Sequence, residues 1–139
     1  MLKKKIGFIG FGRVVEWQIK MINSLNYEII FICDLSKDKL EKASNLIEGV
    51  KTFSNLEQLL LDESINQTDF VVVATPSGNH FDVVKRLERK NNWQIIVEKP
   101  TFLNPSNFIE AKEFKNKIIP IFQNRYNKSV VKAKEILSK

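Results

Sequence analysis

The chain contains short runs that are apolar at almost every position, among them "EIIFIC", "FVVVA" and "QIIV". Strand side chains alternate between two faces, so a run with no polar alternation has to be covered on both sides, the condition of parallel strands with helices above and below. The candidate strands are Lys5–Ile9, Glu28–Cys33, a weaker Val50–Phe53, Phe70–Ala74, Gln94–Val97 and Ile118–Phe122. Segments of helical period lie between them: Val14–Ser24, Lys37–Ile47, Leu56–Leu61, His80–Arg89 and Pro105–Lys115. In these, Leu56, Leu59 and Leu60, and Val83, Val84 and Leu87, form apolar stripes that read as core. Right-handed crossovers between such units give an α/β fold, an open, doubly wound and mostly parallel sheet.

With 139 residues, 43% of them hydrophobic and 27% charged, the chain is the size of one globular domain. The basic start "MLKKKIGFIGFGRVVEW" reads as mature structure, because Gly7, Gly10, Gly12, Arg13 and Glu16 interrupt any leader-like apolar run. No apolar run approaches the roughly 20 residues a bilayer requires, and the single Cys33 forms no internal disulfide, so no membrane partner and a cytoplasmic location are expected. A net charge of +6 raises nucleic acid as a partner. The lysines are spread among acids, however, and the tightest basic group, Lys85, Arg86, Arg89 and Lys90, contains Glu88, so a solvated helix face is expected and no nucleic acid.

The first strand meets the first helix in "IGFIGFGRVV". Gly10 and Gly12 permit a tight turn there and let backbone approach a pyrophosphate, which then rests on the amides of the helix start, Arg13 and Val14. Val15 stands where the GxGxxG fingerprint has a small residue. Asp34 closes the second strand in "EIIFICDLS", where a carboxylate accepts hydrogen bonds from ribose hydroxyls. The plainer alternative is that the glycines only turn the chain and Asp34 only caps the next helix. NAD or NADP is the expected cofactor of this Rossmann fold, NAD slightly favoured because Asp34 repels a 2′-phosphate that Lys37 would attract.

Two further loops end buried strands, and in an open α/β sheet those ends form the ligand crevice. Ala74, Thr75, Pro76 and Ser77 border it in "VVVATPSGNHFDVV", followed by His80, the only histidine, which fits either a locally bonded helix start or a place near the cofactor. One histidine without partners specifies no metal site. Glu98, Lys99 and Pro100 close the fifth strand; Lys99 reads either as a charge held against cofactor or substrate hydroxyls or as half of a surface Glu–Lys pair. The Lys99–Pro100 bond is a candidate for the cis form.

In this order and spacing, "GFIGFGRV", "CD", "ATPSGNH", "EKP" and "QNRYN" resemble the Gfo/Idh/MocA family of NAD(P)-dependent oxidoreductases over nearly the whole chain. The resemblance implies that Gly10, Gly12 and Asp34 hold the cofactor, that Pro76 and His80 line its crevice, and that Glu98 and Lys99 reach the nicotinamide side, Lys99 as the catalytic residue. It also implies that Gln123 and Arg125 lie at the end of the sixth strand near cofactor or substrate. Gln18 departs from the pattern, standing where many relatives have histidine. Such enzymes act on a carbohydrate-type small molecule and continue into an α/β domain that carries substrate contacts and the dimer surface, so a homo-oligomer is expected only with that domain. On this reading residues 1–124 are the dinucleotide-binding domain, and 125–139, with a helix beginning near Ser129, open the connection to a second one. A stand-alone nucleotide-binding module without turnover is the alternative function.

Overall fold

The computed structural model describes residues 2–22, 24–88, 90 and 92–138. Six strands, β1 (Lys4–Ile9), β2 (Tyr27–Cys33), β3 (Lys51–Phe53), β4 (Phe70–Val73), β5 (Gln94–Val97) and β6 (Ile118–Pro120), form one sheet in the order β3-β2-β1-β4-β5-β6. Every pairing in it is parallel. Six α-helices join or follow the strands: α1 (Arg13–Ile22), α2 (Lys37–Leu46), α3 (Leu56–Leu61), α4 (His80–Glu88), α5 (Pro105–Ala111) and α6 (Lys128–Leu137). The doubly wound parallel sheet expected from the apolar runs is the fold observed.

Alternation along the central strands explains why those runs have no polar face. In β4, Val71 and Val73 enter one core cluster with Phe31, Leu59, Val84, Leu87 and Trp93, whereas Val72 enters the other with Phe8, Val15, Ile19 and Ile32. Both faces of the strand are therefore dry, and each buried Val or Leu side chain contributes about 1.5–3 kcal/mol of transfer free energy. Gly7 is required by this packing, since a Cβ there would lie 2.1 Å from the Phe31 ring.

Helix starts follow local chemistry. Ser36, Asn55, Asn104 and Asn127 place a side-chain oxygen on a first-turn amide of α2, α3, α5 and α6. Most boundaries fall within two residues of the sequence expectation, and two differences have a visible cause. Helix α5 stops at Ala111 rather than Lys115, because the chain turns to bring Phe114 against the core and to bury Asn116. Strand β6 stops at Pro120 rather than Phe122, and Gln123–Tyr126 wind into a 3-10 turn before α6. Arg89, expected in α4 and in the basic group, lies outside the described residues, as does Lys139. Of that group, Lys85 pairs with Glu110 and Arg86 with Glu57. No helix among the described residues is long and apolar enough to cross a membrane.

Candidate functional site

The strand order reverses between β1 and β4, and open α/β sheets place their ligand crevice at the carboxyl ends beside such a switch point. Gly10 lies there. Its φ of +91° favours glycine, and a Cβ would sit 2.6 Å from the Ala74 carbonyl oxygen, so the β1 turn and the loop after β4 touch backbone to backbone. The Gly10 amide donates to the Cys33 carbonyl at 2.7 Å, and the Ala74 amide to the Ile9 carbonyl at 2.8 Å.

Gly12 is the opposite case: a Cβ there would meet nothing within 4 Å. It precedes α1, whose first-turn amides, Arg13, Val14 and Val15, precede the first i→i−4 bond, Glu16 N–H to the Gly12 carbonyl. Unlike the four helices capped by Ser or Asn, α1 begins on a residue with no side chain. Open space in front of uncapped amides at a helix's positive end fits a pyrophosphate. Val15, the departure from the fingerprint, is wholly buried in the second core cluster, and α1 packs on the sheet with it in place.

Asp34 joins the two halves of the turn. Its Oδ2 accepts from the Phe11 amide at 2.7 Å and from Lys39 Nζ at 3.3 Å, and its Oδ1 accepts from the Ser36 amide at 2.9 Å. The carboxylate braces the glycine turn and Ser36 caps α2; a carboxylate has about four lone-pair directions, which leaves room for a ribose hydroxyl. The lysine on Asp34 is Lys39, not Lys37, which is exposed and has no bonded partner among the described residues. The neighbouring Cys33 is buried, which, with the Asp34 charge beside it, pushes its thiol up to about 12 and makes it no nucleophile at neutral pH.

The remaining expected site residues fall into two loops. Thr75 is half-buried, its hydroxyl without a protein partner; Pro76 is exposed, and Ser77 opens a 3-10 turn leading into α4. Glu98 is held from both directions, Oε1 accepting from Gln18 Nε2 at 2.7 Å and Oε2 from the Lys99 amide at 3.2 Å. Gln18 therefore ties α1 to the end of β5, which no spacing rule signals. The Lys99–Pro100 bond is cis. Lys99 is exposed at the carboxyl end of β5, and its ammonium has no partner among the described residues.

His80 is buried, with Nδ1 2.9 Å from the Pro100 carbonyl oxygen and Nε2 2.8 Å from that of Thr75. Its ring is occupied by the two loops instead of being open to the crevice. Gln123 and Arg125 lie in the exposed 3-10 turn past β6. Among the described residues no group of three or more His, Cys, Asp or Glu gathers as for a metal ion.

Solved structures share this architecture. The WlbA dehydrogenase from Chromobacterium violaceum, in complex with NADH and UDP-GlcNAcA, matches with a TM-score of 0.87 at 22% identity over 99% of this chain and 40% of that one. WlbA from Bordetella pertussis, also with NADH and UDP-GlcNAcA, matches at 0.84 and 25% identity over 98% and 42%. A myo-inositol 2-dehydrogenase from Lactobacillus plantarum matches at 0.81 and 22% identity over 98% and 41%. The chain thus spans about two fifths of the length of these proteins. No curated protein matches it. Residues 4–118, most of the chain, match the model of the family described as "Oxidoreductase family, NAD-binding Rossmann fold". The chain belongs to this family, Gfo/Idh/MocA, as its NAD-binding Rossmann domain.

Proposed function

We propose that the chain is the cofactor-holding part of a dehydrogenase that acts on a hydroxyl of a sugar nucleotide, sugar or polyol. The observation that carries this reading is the convergence of the open Gly12 turn, Asp34 and the Glu98–Lys99 loop on the carboxyl edge of one parallel sheet. The similar proteins crystallised with NADH and a sugar nucleotide, and the similar inositol dehydrogenase, support the substrate class.

NAD(H) supplies a nicotinamide carbon that takes or gives hydride. Toward it, Gly12 and the amides of Arg13 and Val14 would bind the pyrophosphate, and Asp34 would accept from the adenosine ribose, which favours NAD over NADP. Ala74, Thr75, Pro76 and Ser77 would border the dinucleotide. Lys99 is the catalytic residue: its free ammonium would hydrogen-bond the substrate oxygen and favour charge developing there. His80, buried and doubly engaged, is not the proton acceptor, and that group comes from outside these residues. Gln123 and Arg125, just past β6, would meet cofactor or substrate.

The test joins the chain to the C-terminal domain of a close relative and measures sugar-linked NADH formation. Lys99→Ala should lower kcat by a factor of roughly 100 or more, the usual worth of a proton-handling or charge-stabilising group, with cofactor affinity nearly unchanged. Turnover within a factor of a few of the parent would remove Lys99 from catalysis. Turnover by the 139 residues alone would remove the need for a second domain.

A further inference from the structure

Glu98, Lys99 and Pro100 lie on a loop that makes no regular secondary structure, yet a catalytic ammonium has to be held within a fraction of an ångström of its working position. Among the described residues nothing bonds the Lys99 side chain, so its position is set by whatever holds the backbone on either side. On the N-terminal side, the Glu98 amide donates to the Val73 carbonyl at 3.0 Å and the Glu98 carboxylate accepts from Gln18. On the C-terminal side, the Pro100 carbonyl faces His80 Nδ1, and Phe102 packs edge-on against Phe81 with ring centroids 5.2 Å apart. Two consecutive residues at the start of α4 thus grip the loop beyond Lys99.

We propose that His80 is a positioning residue for Lys99, its imidazole a cross-tie between the loop after β4, at the Thr75 carbonyl, and the loop after β5, at the Pro100 carbonyl. Both partners are carbonyl oxygens, which only accept. Each contact is a hydrogen bond only when the ring nitrogen facing it carries a proton, so a neutral ring ties one loop and a doubly protonated ring ties both. Among the described residues no charged side chain bonds to the ring: Asp82 on the same helix is exposed, Glu98 is taken by Gln18, and Lys99 is exposed. The tie itself is independent of the proposed function; its consequence for Lys99 in catalysis rests on that reading.

The experiment measures hydrogen exchange of the backbone amides of the 139-residue chain at one fixed pH and compares it with His80→Leu, which donates to neither carbonyl, His80→Gln, which donates to one at most, and Phe81→Leu, which loosens the packing but leaves the ring. The amides of Thr75, Lys99 and Thr101 should exchange several-fold faster in His80→Leu than in the parent, and His80→Gln should recover part of the protection. Phe81→Leu should leave the Thr75 amide as in the parent. Loop amides that exchange in His80→Leu as they do in the parent, or that recover nothing in His80→Gln, would overturn the proposal. Titration with NADH separates the two readings: failure of the parent chain to bind NADH sinks the proposed function, while the exchange rates decide the cross-tie in either case.

Discussion

Helices α4 and α6 are nearly the same length, nine and ten residues, and both carry an apolar stripe. Their fates differ. In α4, His80, Val84 and Leu87 are buried against the sheet. In α6 nothing is buried: Val130, Val131, Ile136 and Leu137 are 46%, 43%, 62% and 87% exposed. Helical periodicity therefore states which face of a helix is apolar, and only the tertiary structure states whether anything covers it. The same contrast separates two glycines in the crevice, Gly10 pressed against backbone and Gly12 facing open space.

The sharpest test of the contrast replaces one leucine in each helix. Leu87→Ala should cost about 2–5 kcal/mol, the usual loss for truncating a buried leucine, whereas Leu137→Ala should change stability by less than about 0.5 kcal/mol. Urea unfolding of the two variants measures this, and equal losses would mean that α6 is docked in solution. The glycine pair comes next. Gly10→Ala should cost about 1–3 kcal/mol through its left-handed φ and its approach to Ala74, while Gly12→Ala should stay within about 0.5 kcal/mol of the parent.

A smaller effect is expected at the amino edge of the sheet, where Asp69 accepts from the Lys5 amide at 2.8 Å and pairs with Lys4 at 3.0 Å. The Lys5 amide first, then the Lys4 ammonium, hold its carboxyl below the usual range. A folded-state value depressed in this way contributes stability above the unfolded value, near 3.9, that is lost as pH falls through the folded one. Asp69→Asn should therefore be less stable than the parent at pH 7, by less than about 1 kcal/mol because the pair is partly exposed, and the gap should close below about pH 4. A gap that stays constant with pH would mean that the carboxylate's charge contributes nothing.

Most of the sheet was legible in the sequence because its signal is local: consecutive apolar residues in β2, β4 and β5, and glycine at the one turn where φ is positive before a helix. Boundaries blurred where the cause was tertiary, as at Phe114 and Asn116, whose burial ends α5 early. The ties at the crevice were not legible. Asp34 bonds the Phe11 amide and His80 meets two backbone carbonyls, and backbone partners leave no mark on residue identity, while Gln18 reaches the Glu98 side chain across eighty residues, a separation that no local spacing signals. Lys37, expected only as a group that would attract a 2′-phosphate, bonds nothing among the described residues, and it is Lys39, in the first turn of α2, whose ammonium returns to Asp34.

Above all, we propose that the open turn at Gly12 receives the pyrophosphate of NAD(H). The direct measurement is a fluorescence titration of NADH with the 139-residue chain and with Gly12→Asp, alongside thermal unfolding of both. The parent should bind NADH, and bind NADPH more weakly. Gly12→Asp should lose binding with little change in melting temperature, since its side chain projects into space that no protein atom fills and places a negative charge where the phosphates would sit. NADH binding that survives Gly12→Asp unchanged, or a folded parent chain that binds none, would contradict the claim.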